Sequence, residues 1–301
     1  MVSSEDSAWD VPPSMFGARA GGPTAQRLVL GGHLRRLRES RGITAELAAD
    51  SIRGSHSKIS RMEHGRVGFK ERDVADLLTL YGVIDGEERE ALLNLAREAN
   101  LPGWWHAYSD VLPTWVEPYV GLEAAASIIR TYQMQTMPGL LQTEYYAEAL
   151  LRVGYPTVTE EELARRRELR ISRQDILNRA DAPQLWVVID EGAIRRPLGG
   201  KAVMREQFQH LIEMSDHPAV TIQVLPFEVG AHAALIGPFS ILRFAEPDLQ
   251  DVIYIEQLTS ALYLDKPSEV DRYLEVMEQL CLQAETAART PDLLRKILAD
   301  S

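Results

Sequence analysis

Within RGSHSKISRMEHGR, residues 53–66, side chains that donate hydrogen bonds or carry positive charge fall in one short run: Ser55, His56, Ser57, Lys58 and Arg61. Arg53 and Arg66 bracket it. This is chemistry for touching nucleic acid. Arginine matches guanine O6 and N7 with two parallel N–H donors, and His and Ser offer short donors to purine edges, so Arg61 is the foremost base-reading candidate. The flanking cations suit phosphates, as do the backbone N–H groups at helix starts near Thr44 and Ser55. Phosphate contacts set register without reporting sequence.

Other chemistries find little support. Asp190 and Glu191 lie at a strand end and His232 in a Gly/Ala loop, but no GxSxG, HExxH or Walker-type motif accompanies them. Asp190 is expected to cap the turn into EGAIRR, so no catalytic residue is assigned. The single cysteine, Cys281, sits in an apolar helical pattern and reads as a buried thiol. No metal ligand set and no cofactor are expected. Arg195 and Arg196, beside the glycines of PLGG, are candidates for an anion or an acidic partner, and Trp104 and Trp105 for a partner or ligand contact.

The elements that must hold the reading face are legible from local signals. Leu30, Leu34 and Leu37 recur as the stripe of one packed helix, which Gly42 ends as a residue tolerant of the left-handed conformation. Thr44 is a good N-cap for a short helix whose Leu47, Ala48 and Ile52 are expected inside. After a turn with Gly54, Ser55 caps a helix that buries Ile59 and Met62 and points His56, Ser57, Lys58 and Arg61 outward. Gly65 ends it, and a fourth helix with Val74, Leu77, Leu78 and Tyr81 closes the bundle. A fifth begins at Asp85, with Glu88 three residues on as a capping box, and carries Leu92, Leu93, Leu95, Ala96 and Ala99.

Charge sharpens this reading. Residues 27–70 hold 10 Lys or Arg against 4 Asp or Glu, a net of +6 in a chain whose formal total is -12, so the remainder carries -18. A basic module on an acidic body confines phosphate affinity to one face, and disfavours a charged bundle that merely binds another protein.

Across residues 28–83 the paired GITAELA and SHSKISRMEHG resemble the Xre family, the phage-repressor-like helix-turn-helix regulators. The resemblance implies a recognition helix in the major groove. Ser55 would hold the N-cap and a phosphate, His56, Ser57 and Arg61 would meet bases, and Lys58 would reach either. It also implies an internal Arg38–Glu63 ion pair. The chain departs from the family at Ala45, where Gln is usual, and at Arg53, where Gly is usual. One phosphate contact is thereby put in doubt and one cation gained.

Beyond this module the texture changes. Residues 1–26, rich in Ser, Gly and Pro, read as a disordered arm, and residues 27–101 as the helix-turn-helix domain. Residues 102–119, with Trp104, Trp105, Tyr108, Trp115 and Tyr119, read as an aromatic linker, an interdomain hinge or a ligand wall, with rings that glue two domains together the favoured reading. Residues 120–285 read as an α+β effector or partner-binding domain, and 286–301 as a C-terminal helix. In that domain GLEAAASIIRTYQMQ, TEYYAEALLRVG and EEELARRRELRISRQDILNR are expected to be helical, with Arg165, Arg166, Arg167, Arg170 and Arg173 on a solvated face. LWVVID, VTIQVLPF, PFSILRF, DVIYIEQ and SALYLD read as strands of a small antiparallel sheet covered by helices. The expected class is mainly α: a five-helix phage-repressor-like bundle followed by this α+β domain.

The carboxyl half, residues 104–282, is similar to the effector domain of actinobacterial WhiJ-like regulators in TMPGLLQTEYYAEALL, VVIDEGAIRRPLGG, VTIQVLPFEVGAHAALIGPFSILRF and YIEQLTSALYLD. This resemblance implies a transcription regulator whose partner is a small acidic BldB-like protein, in an antitoxin-like arrangement. The alternative is a small-molecule sensor with a pocket between sheet and helices. With 301 residues, 45% of them apolar and 25% charged, the chain has length for two cores. No apolar run is long enough for a membrane span, and the compartment expected is the cytoplasm. A homodimer on a near-palindromic double-stranded DNA operator is the expected working form.

Overall fold

A computed structural model describes residues 22–246 and 249–299, which fall into two compact units dividing between Pro102 and Gly103. The arm expected over residues 1–26 lies outside the described residues as far as residue 21. Pro23 to Gln26 are already the first turn of a helix, with Thr24 buried.

Among the described residues the first unit is five helices: α1 (Pro23–Ser40), α2 (Ala45–Ser51), α3 (His56–Glu63), α4 (Glu71–Leu80) and α5 (Gly86–Ala99). They enclose a single core of Leu30, Leu34, Ala48, Ile59, Met62, Val74, Leu77, Leu78 and Leu92. Asp85 caps α5 by accepting from the Glu88 amide at 2.8 Å. Where α1 meets α3 there is no room for a side chain, since a Cβ on Gly31 would run into the carbonyls of Met62 and Glu63. One inward assignment is corrected. Leu47 is 53% exposed, because α2 turns its small Ala48 and Ala49 to the core and Leu47 lies about 100° round the helix from Ala48.

In the second unit the order is α6 (Glu117–Ala125), β1 (Ile128–Gln133), α7 (Glu144–Gly154), α8 (Glu160–Ser172), β2 (Gln184–Asp190), α9 (Glu191–Arg195), α10 (Lys201–Met214) and β3 (Val220–Leu225). Then come β4 (Phe239–Arg243), β5 (Val252–Glu256), β6 (Ala261–Leu264), α11 (Pro267–Gln283) and α12 (Thr290–Ala299). The sheet is neither small nor antiparallel throughout. Its six strands run β3-β2-β1-β4-β5-β6, with β1, β2 and β3 mutually parallel and β4, β5 and β6 antiparallel. The parallel pairs follow from the helices that carry the chain back across the sheet, α7 and α8 between β1 and β2, α9 and α10 between β2 and β3. β1 itself is a correction: helix was expected through IIRTYQ, but α6 stops at Ala125 and those residues form a strand flanked by β2 and β4.

Helix α11 covers one face, against Tyr132, Val188, Phe239, Ile241 and Ile253, while Ile129, Val187 and Ile189 are buried on the other. The outer edge of β3 is closed from within the chain: the Glu285 amide donates to the Val224 carbonyl and the Thr290 hydroxyl to that of Ile222, each at 2.8 Å.

Two further expectations change here. Residues 103–119 are no linker but part of the second unit, where Trp105, 3% exposed, packs with Leu112, Val120 and Leu169. The arginines of α8 and its extension do not form a solvated face. Arg165 grips Asp110, Arg166 bonds the Val111 carbonyl and Glu162, and Arg167 pairs with Glu148. Arg170 reaches Gln142, and Arg173 meets the 2%-exposed Glu123 through two bonds of 2.8 Å. Fork-on-carboxylate geometry of this kind, at Arg165 and Arg173, fixes the helix to its neighbours.

Candidate nucleic-acid interface

The reading face is built on two capped helix starts. The Thr44 hydroxyl accepts from the Leu47 amide at the head of α2, and the Ser55 hydroxyl from the Lys58 amide at the head of α3, both at 3.2 Å. Both caps are exposed, so amides at the start of α3 face solvent beside the polar side chains.

Between the caps the chain makes a tight turn. The Gly54 amide returns to the Ala49 carbonyl at 2.8 Å and the Arg53 amide to Asp50 at 3.1 Å, a helix ending of the kind that places its penultimate residue in the left-handed region. Arg53 holds that place, at φ +52°, the one non-glycine with positive φ among the described residues. An L-residue there costs roughly 1–2 kcal/mol. Its side chain is exposed, beside the start of α3.

On α3, His56, Ser57 and Arg61 are all exposed. Arg61 folds back along the helix, its Nε donating to the Ser57 carbonyl at 3.3 Å, which leaves its terminal N–H groups presented to solvent. Arg66 is exposed just past Gly65, and its amide closes α3 on the Arg61 carbonyl at 2.8 Å. Gly65 has φ +62°, and a Cβ there would clash with the backbone at Leu28.

Lys58 departs from the outward set. Its ammonium lies 2.5 Å from Asp73 on α4, and Asp73 is itself buried. The amine ties α3 to α4, with its side chain 30% exposed, because a buried carboxylate needs a partner. Arg38 and Glu63 do form the internal pair, through contacts of 2.6 and 2.9 Å, with Arg38 also donating to the Ile43 carbonyl.

Glu46, on α2, was not singled out from sequence, where it is simply an acid in a first helical turn. Its Oε1 lies 3.8 Å from His56 Nε2. Bonds from its own amide and the Thr44 hydroxyl, with His56 adding, hold its carboxyl below the usual carboxylate range.

The other candidates lie in the second unit. Trp105 is spent in the core, and Trp104 stands edge-on to Trp105 and Tyr108 at 6.1 Å. Arg195 and Arg196 are both exposed, and Arg195 is engaged by Glu191 at 2.5 Å. Glu191 and Arg195 line a cleft of roughly 430 Å³ together with Glu228, Glu285, Arg289 and Asp292, so its walls carry both signs of charge. Asp190 caps α9 through the Gly192 amide at 2.7 Å and accepts from the Tyr132 hydroxyl at 3.2 Å, with His232 buried beside them.

Residues 116–296 match the family described as Domain of unknown function (DUF5753), and residues 29–92 match a family described as Helix-turn-helix domain. No curated protein and no solved structure matches the chain. Among the described residues, no helix is long and apolar enough to cross a membrane.

Proposed function

The chain belongs to the DUF5753 family and carries a helix-turn-helix domain, and from that premise we propose that it is a sequence-specific, DNA-binding transcription regulator of the Xre type. The observation that carries the proposal is the exposed polar face of α3, with His56, Ser57 and Arg61 on a helix capped by Ser55, inside a segment of net charge +6. Arg61 reads guanine, His56 and Ser57 meet neighbouring base edges, and Arg53, Arg66 and the cap amides hold phosphates. Lys58 is assigned to structure.

The working form proposed is a homodimer, with two copies of α3 in successive major grooves of a near-palindromic operator, about one helical turn apart. The second unit is read as the regulatory part, of the WhiJ-like type, whose occupancy by a small acidic protein sets DNA binding. The sequence resemblance supports this, as does Arg196 standing exposed beside the PLGG turn. It is not assigned an enzymatic role, since Asp190 is occupied as a helix cap.

Arg61→Ala is expected to lose about 1–3 kcal/mol of discrimination between operator and scrambled DNA. Arg66→Ala is expected to weaken both alike and flatten the salt dependence. Fluorescence anisotropy on matched and scrambled duplexes separates the two, and equal losses on both duplexes for Arg61→Ala would refute its base-reading role. Light scattering with and without operator tests the dimer, and a monomer in both conditions excludes it.

A further inference from the structure

Glu46 is a carboxylate on the face assigned to DNA, a place where negative charge opposes phosphate. It is 72% exposed, the His56 side chain opposite is 59% exposed, and the 3.8 Å contact joins α2 to the first residue of α3. The pair adds little to stability at that exposure. Its consequence lies in where protons sit.

A carboxylate facing Nε2 selects the neutral imidazole that carries its proton there, since the alternative sets a lone pair against negative charge. Nδ1 is then left as an acceptor. In the major groove, adenine N6 and cytosine N4 are amino donors, whereas guanine shows only acceptors at N7 and O6. Resting on the DNA-binding reading above, we propose that Glu46 is a positioning residue that makes His56 select an amino-bearing base, adenine or cytosine, beneath the start of α3 and reject guanine.

The other charged groups of this surface do not compete for that task. Arg61, on α3 itself, is directed to the Ser57 carbonyl, and Lys58 is neutralised by Asp73 of α4. Arg53 lies in the turn before the Ser55 cap. Glu46 is held by its own amide and by Thr44.

The test uses the full chain and an operator obtained by selection from random duplexes. Competition anisotropy over all four base pairs at each operator position is run at pH 8 for wild type, His56→Ala, Glu46→Gln and Glu46→Ala. Wild type is expected to favour adenine or cytosine over guanine about fivefold at one position, the size of one hydrogen bond. His56→Ala should abolish that preference. Glu46→Gln, whose amide donates as readily as it accepts, should flatten it, while preferences elsewhere in the operator stay as they were. An unchanged preference in both Glu46 variants would overturn the proposal and leave DNA binding standing. Wild type that selects no sequence would overturn both.

Discussion

Replacing Arg53 by glycine is expected to make the first unit more stable and its grip on DNA weaker. The left-handed backbone at φ +52° costs an L-residue roughly 1–2 kcal/mol, and glycine removes that cost. Against it stands the greater freedom glycine gives the unfolded chain, about 0.5–1 kcal/mol. The net is a gain of roughly 0.5–1 kcal/mol, or about 2–8 °C in the melting of a unit of this size. Arg53→Ala is the control, because it deletes the same guanidinium and keeps the strain. Stability is read from hydrogen exchange at core amides such as Ile59 and Leu77, which report this unit by itself. Binding is read from the dependence of affinity on salt, whose log–log slope should fall by about 0.9 for one lost phosphate contact in both variants. A glycine variant no more stable than the alanine variant would refute the strain at Arg53, and a salt slope unchanged in both would refute its phosphate contact.

Two other perturbations probe the charges that turned inward. Lys58→Met strands the buried Asp73 carboxylate and is expected to cost about 2 kcal/mol of first-unit stability with base preference unchanged, and Asp73→Leu in the same chain should restore most of the loss. Urea denaturation measures it, and a Lys58→Met protein of wild-type stability with altered base preference would return Lys58 to the DNA face. Glu123→Gln leaves Arg173 buried without its carboxylate, at a cost of about 3–5 kcal/mol confined to the second unit. Differential exchange should show loosening at α6 and α8 with α1 to α5 unaffected, and loosening spread evenly over both units would contradict it.

What was legible in the sequence was whatever a few neighbouring residues decide. Thr44, Ser55, Asp85 and Asp190 each place an acceptor oxygen just ahead of a helix, and each caps one. Gly42 and Gly65 likewise mark ends that need positive φ. What was hidden depended on distant partners. IIRTYQ follows a run of alanines and reads as their continuation, but its pairing with β2 and β4 is worth more than the local helix preference. The parallel arrangement comes from crossovers, which strand periodicity does not encode. Lys58 and Arg173 read as surface cations because Asp73 and Glu123, which draw them in, lie elsewhere in the chain. Glu46 carried no local signal of its contact with His56.

The closure of β3 has a consequence for how the chain is made. Leu225 leaves the ribosome well before Glu285 and Thr290, the residues that satisfy the outer carbonyls of its strand. Through that interval the strand offers an open backbone edge to any neighbouring nascent chain, and edge pairing is the common route to misassembly. Residues 285–290 thus act as a late-arriving guard. Slow elongation or premature termination within the preceding stretch would be felt as aggregation, not as faulty DNA recognition.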